Sequence, residues 1–521
     1  MRRTRNAVLA AGFTYGQLGL AMLSGFVLIP FIVRALGART YGVWLATGEL
    51  VGYAGMLDLG VMAMLPWLVA QADGRRDIRE LRSILARGFL VAAAAGTSVA
   101  LLAILTWRFM PPVLGLAESD FVLLSGPLVI VVAVIAMTYP LRVFNAALVG
   151  LQDVVFTGSL AILQTIAGVG LTVWLLAEGF GLYAVAIGVA FPPAVTGLAS
   201  LVRLRTLKRD VVRGWRFPEL AGLRWIVVEG AGAWVAGLGW TMAAATSGIV
   251  IAFLGHPEAV VVYVCTAKLG QLLFQAARVI PDSGLVGLAQ IDGEGVKDRV
   301  RDAVGTILRL HLLLAGAAAT TVVLWNPIFV RLWVGREFFG GLTLNFAVTG
   351  ALLFVSLTHG LVCCAAVLGH RRAIGAVTLG YGFLTIALSV KLGGALGLPG
   401  IAMAPVVSGL VTTLPAGVLL LRRAAALPWR RLGRDVATPW VIRLAPFLVL
   451  VAVVRVLIER LMTDGIFTLA VSLVSVMAYV WWMRPLYHLL PLHPALRGWL
   501  GRWKLAAPVV HAPVGEVKPW V

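Results

Sequence analysis

The sequence predicts an all-α polytopic membrane protein of about 14 transmembrane helices, arranged as two parallel, pseudo-symmetric six-helix lobes plus two C-terminal helices. Three observations carry this reading. Of 521 residues, 60% are hydrophobic and only 13% are Asp, Glu, Lys or Arg, about half the charged share of a soluble domain. The polar residues gather between apolar runs of about 20 or more, each able at 1.5 Å per residue to cross a hydrocarbon core about 30 Å thick. Landmarks of the first two hundred residues also recur further along the chain, near a constant offset of 219.

Charge clusters and Gly/Pro turns divide the chain into spans. The first six lie at roughly 8–33, 43–70, 88–107, 121–141, 156–177 and 182–202. Met1-Arg2-Arg3-Thr4-Arg5 ahead of the first run imitates a signal peptide, but the apolar stretch to Val33 is too long for its hydrophobic region, so a retained helix is expected. A second six lie at roughly 224–254, 260–289, 303–325, 341–368, 373–391 and 399–421, and two more near 440–458 and 465–483. The expected domains are therefore 1–210, 211–425, 426–483 and a tail, 484–521. In the tail Leu496, Trp499, Leu500 and Trp503 recur at helical spacing beside Arg497, Arg502 and Lys504, which predicts an interfacial helix.

A formal charge of +20 would ordinarily raise nucleic acid as a partner. The distribution answers otherwise. With the N-terminus inside, 33 lysines and arginines fall in or beside inner segments and 8 with outer ones, as the positive-inside rule requires. Both termini are expected in the cytoplasm, and the basic stretch 203–224, despite Trp215 and Phe217, reads as a topology signal facing anionic lipid.

The repeat is specific in its order. Asp73-Gly74 returns as Asp292-Gly293, Leu36-Gly37 as Leu254-Gly255, and Trp107 as Trp325. Ala146 to Gly150 returns as Ala365 to Gly369, and Gly181-Leu182 as Gly397-Leu398. An even number of spans per half makes the repeat parallel, an arrangement used by transporters.

Ionisable groups at the centre of a membrane span cost about 2.5–3.5 kcal/mol each on insertion scales, so those retained line a cavity or pair with one another. The eighth span carries Lys268, Gln271, Gln275, Arg278 and Asp282, one stripe roughly 80° wide on a helix. One reading is a cationic lumen wall that meets an anionic substrate. The other is an Arg278–Asp282 pair at i,i+4 with Lys268 snorkelling outward. The two glutamines on the same stripe favour the lumen. Glu49, the in-register partner of Lys268, and Asp58 share the second span on opposite faces of a straight helix, so at most one of them faces a cleft. Gln17 lies with Thr14 and Ser24 on one face of the first span, which small-residue helix packing explains equally well. His359 is expected simply to be hydrogen-bonded.

Cys265, Cys363 and Cys364 lie inside apolar runs with no spaced Cys/His ligand set, so neither a disulfide scaffold nor a metal site is expected. No outer connection combines a nucleophile, a base and an oxyanion site, and no phosphate-gripping glycine loop is present. The expectation is a protein that is not an enzyme and uses no cofactor.

Arg34-Ala35-Leu36-Gly37-Ala38-Arg39-Thr40-Tyr41-Gly42, followed by Asp58-Leu59-Gly60, resembles the opening signature of bacterial polysaccharide flippases. With Leu254-Gly255, Tyr263, Trp333-Val334-Gly335 and the paired layout over residues 1–421, the chain is similar to the polysaccharide-transporter (O-antigen, lipid-linked oligosaccharide) branch of the multidrug/oligosaccharidyl-lipid/polysaccharide flippase superfamily. The resemblance takes Arg34, Gly37, Tyr41, Gly42, Asp58 and Gly60 as the family motif. It implies a flippase of the bacterial inner membrane that moves undecaprenyl-pyrophosphate-linked oligosaccharide from inner to outer leaflet by alternating access. Glycosyltransferases or a glycan polymerase are then the expected partners, membrane lipid the surroundings, and a monomer the working form. Family members often carry an acid midway in the seventh helix, where this chain has Thr246-Ser247-Gly248. A multidrug exporter of the same superfamily and a non-transporting scaffold for glycan assembly stand as alternatives.

Overall fold

A computed structural model describes residues 2–54, 56–113, 117–213, 223–293, 296–425, 429–461 and 465–487. The expected tail helix lies outside them, as do Trp215 and Phe217. Among the described residues every regular element is a helix. Eleven helices among them are long and apolar enough to cross a membrane, twelve if Trp234–Ala244 and Ser247–Phe253, bent by 47°, count as one span. Two of the fourteen expected spans take other forms: the second is broken, and the last is the shorter apolar helix Phe467–Trp482.

The chain packs as two units, Met1–Val262 and Tyr263–Val521. The first contains α1 (Arg2–Leu36), α2 (Ala38–Ala54), α3 (Val61–Gly74), α4 (Ile78–Thr106), α5 (Glu118–Thr138) and α6 (Arg142–Gly150). It continues through α7 (Val154–Ala177), α8 (Leu182–Leu207), α9 (Leu223–Ala244) and α10 (Ser247–Phe253). Asp77 starts α4 by accepting the Glu80 N–H at 2.9 Å, a side-chain cap for a donor the helix cannot satisfy itself. Val61, Leu65, Leu85, Ala92, Val143 and Leu148 form a core in which α3, α4 and α6 meet. Ile104 and Met137, by contrast, are 72% and 78% exposed, an outward apolar surface suited to lipid and costly in water.

The second span is not a straight helix. α2 ends at Ala54 and α3 begins at Val61, because Leu59 and Gly60 take φ of 54° and 78°. Asp58 Oδ1 accepts the Gly60 N–H at 3.0 Å inside this break. The opposite-faces argument for Glu49 and Asp58 therefore fails: its premise was an uninterrupted 100° per residue.

In the second unit the matching stretch is continuous. α11 (Pro257–Gly293), which begins just before the unit boundary, and α12 (Lys297–Trp333) each run 37 residues, about 55 Å at 1.5 Å per residue. α13 (Gly341–Ala365), α14 (Arg371–Leu396), α15 (Leu398–Val411) and α16 (Thr413–Ala425) follow, then α17 (Thr438–Leu461) and α18 (Gly465–Trp482). The last two pack on α12, where the Tyr479 hydroxyl donates to Leu313 O at 2.8 Å.

Backbone geometry repeats with the sequence. Gly37 and Gly255 end their helices at φ of 78° and 86°, a left-handed conformation that glycine adopts without a Cβ penalty. Gly181 and Gly397 precede α8 and α15 at φ of 57° and 67°. Ion pairs join segments that the sequence expects at the same end of the spans. Arg39 meets Asp120 at 2.8 Å and Glu258 at 3.8 Å, all three on expected outer segments. Lys208–Asp73 at 2.6 Å and Arg203–Asp153 at 2.8 Å join expected inner ones.

Candidate functional site

The stripe on α11 is polar along its length. Gln271 and Gln275 are exposed, and Lys268 and Arg278 are half-buried. Among the described residues no ion pair reaches Lys268 or Arg278, and Arg278 lies over the Phe274 ring, 5.8 Å from its centroid. The i,i+4 pairing of Arg278 with Asp282 is not formed. Asp282 instead turns to two histidines: His359 Nε2 stands 3.1 Å and His311 Nε2 3.4 Å from its Oδ1. His359 is therefore not a lone histidine. The three donors lie 29 and 48 residues apart in sequence, which is why no ligand spacing is visible there. One donor atom from each lies within 4.8 Å of the others, so these residues could hold a metal, contrary to the expectation from the sequence.

Glu49 occupies the bend between α9 and α10. Its carboxylate accepts the N–H groups of Gly248 and Ile249 at 3.0 and 2.9 Å, at the positive end of α10. Tyr53 hydrogen-bonds Thr246 at 2.5 Å, and Trp234 Nε1 donates to Met56 O at 2.5 Å. A carboxylate contributed by α2 thus lies beside Thr246-Ser247-Gly248. Asp58 is buried and committed to Gly60, while Gln17 is exposed on α1.

Motif residues serve the helix junctions. A Cβ on Gly42 would collide with Pro257 O, and one on Gly60 would lie 2.7 Å from Gly230 O. Tyr41 is buried and Arg34 exposed.

The first unit also contains a cavity of about 680 Å³, lined by Thr138, Tyr139, Arg142, Asn145, Gln164 and Thr196 among apolar side chains. Arg142 sits 4.8 Å over the Tyr139 ring, and Thr196 donates to Gln164 Oε1 at 3.0 Å. Sequence reasoning missed this site because Arg142 entered only as a topology residue. Gln164, alone in an apolar run, was the available signal. Its amide and the Arg142 guanidinium provide donors suited to an anionic or polyhydroxylated ligand.

No known family pattern and no curated protein sequence matches the chain. Solved structures do. The lipid II flippase MurJ in an inward closed conformation superposes with a TM-score of 0.66 at 11% identity, over 92% of this chain and 100% of that one. A multidrug-resistance MATE transporter of the MOP superfamily, inward-facing, gives 0.61 at 15% identity over 79% and 95%. An outward-facing MATE transporter gives 0.55 at 14% over 79% and 94%. The chain thus has the fold shared by MATE transporters and the MurJ flippase.

Proposed function

We propose that the protein is a lipid-linked-oligosaccharide flippase that carries an undecaprenyl-pyrophosphate-linked glycan from the inner to the outer leaflet by alternating access. The observation that carries this reading is the pair of cations on α11, Lys268 and Arg278, that no carboxylate neutralises among the described residues. Such groups are costly unless they line a cavity or find partners, and a substrate is one such partner. A pyrophosphate matches their charge, and Gln271 and Gln275 supply hydrogen bonds beside them. The prenyl chain can remain in lipid. On this reading the chain lies in the bacterial inner membrane with both termini cytoplasmic. Glycosyltransferases or a polymerase act before and after it.

Likeness to MATE transporters supports a second reading, export of small drugs. The positive charge on α11 opposes it for cationic drugs. Proteoliposomes carrying a fluorescent undecaprenyl-pyrophosphate sugar, with an impermeant quencher outside, separate the two. Accelerated leaflet exchange is expected. Exchange at the protein-free rate, with active efflux of a cationic dye, would replace the flippase reading by the exporter.

A further inference from the structure

Asp282, His311 and His359 come from α11, α12 and α13, and their donor atoms converge. His311 is 2% exposed, and its Nε2 is buried without a hydrogen bond of good geometry. That nitrogen lies 3.4 Å from Asp282 Oδ1, while His359 Nε2 lies 3.1 Å from Oδ1 and 3.2 Å from Oδ2 of the same carboxylate. A buried imidazole nitrogen left without a hydrogen bond, beside a carboxylate and a second imidazole whose donor atoms all lie within 4.8 Å of one another, is a set that a metal ion would satisfy. Donors bound to a tetrahedral ion at about 2.0–2.1 Å are about 3.3 Å apart. Two imidazoles and a carboxylate suit a borderline divalent ion such as zinc, whereas calcium and magnesium favour all-oxygen shells.

The surroundings leave room for these donors. Gly360 lies against His311, where a Cβ would come within 2.9 Å of its Cδ2. Phe274 presents an edge to His359 at 6.1 Å between centroids. The Cys363 thiol, 3.6 Å from His359 Nε2, stands beside the cluster, where it or a water would complete four ligands. Arg278 is the neighbouring cation on α11 and is occupied by Phe274.

We propose that Asp282, His311 and His359 form a binding site for a zinc-type divalent cation that cross-links α11, α12 and α13. The inference does not depend on what the protein transports. The same three helices are already joined elsewhere: Asn326 donates to Thr266 O at 2.7 Å and to Asn345 Oδ1 at 2.8 Å. These residues lie 14 to 16 positions along their helices from the cluster, about 22 Å. A metal at the cluster would fix the helices at a second level, so its occupancy would control how far they shift against one another.

The test uses the full-length protein without a polyhistidine tag, purified in detergent, stripped with EDTA and titrated with Co²⁺. One equivalent per chain is expected to survive desalting, with the intense visible bands of tetrahedral cobalt, and Zn²⁺ should abolish those bands. His311→Gln and His359→Gln should each weaken binding at least tenfold, while His256→Gln should not. If a histidine variant aggregates, Asp282→Asn, which preserves side-chain volume, decides. Absence of stoichiometric cobalt binding by the wild type would overturn the proposal. So would binding unchanged in the variants, which would assign the metal to histidines elsewhere.

Discussion

At the residue scale, charge and backbone space make separable predictions. Lys268→Glu places an anion where the proposed substrate carries one, so leaflet exchange should fall at least tenfold at matched membrane abundance. Wild-type exchange by this variant would remove the cationic stripe from the mechanism. Arg278→Lys should retain more activity than Arg278→Gln, since it keeps the charge while losing the planar guanidinium. Glu49 is a different case: its carboxylate holds two backbone N–H groups at the start of α10. Glu49→Ala should lower unfolding stability by about 1–2 kcal/mol, and Glu49→Gln by less because an amide oxygen still accepts. Thermal unfolding in detergent measures both. The two motif glycines also differ. Gly37→Ala meets no atom and adds only the left-handed strain of φ 78°, about 1–3 kcal/mol. Gly42→Ala would drive a Cβ into Pro257 O. The yield of folded protein should therefore fall further for Gly42→Ala.

At the element scale, the two halves of the repeat treat their second helix differently. The first half breaks it at Asp58–Gly60, whereas α11 runs through the matching positions unbroken. Asp58 stabilises the break by holding the Gly60 N–H. Asp58→Ala leaves that half-buried donor without its partner and should cost about 1–2 kcal/mol, read as a lower melting temperature. Helical periodicity made the α11 stripe visible because one face of one helix carries it. It could not show the partners of Asp282, since His311 and His359 are brought to it by α12 and α13. The cavity beside Arg142 was hidden for the same reason, as its polar lining comes from α5, α6, α7 and α8.

At the scale of the whole molecule, the arrangement of loops by side is testable. A cysteine replacing Arg336, between α12 and α13, should react with an impermeant thiol reagent added to intact cells. One replacing Arg79, at the start of α4, should react only after permeabilisation. Labelling of Arg79→Cys from outside would invert the proposed orientation. The fold likeness to MurJ and to MATE transporters extends over most of the chain at identities of 11–15%.

The all-helical membrane class, the glycines that recur at helix ends and the clustering of charge were readable directly from the sequence. Each depends on local composition: apolar length against bilayer thickness, glycine where φ turns positive, and basic residues between spans. Gly37 with Gly255 and Gly181 with Gly397 show how literally those signals translate into backbone. Tertiary structure alone decided which polar groups meet. Asp282 chose two histidines over the arginine one turn away, and Glu49 chose the amides of α10, because a carboxylate in a membrane helix is stabilised by donors that neighbouring helices aim at it. Such convergence leaves no period or spacing in the chain.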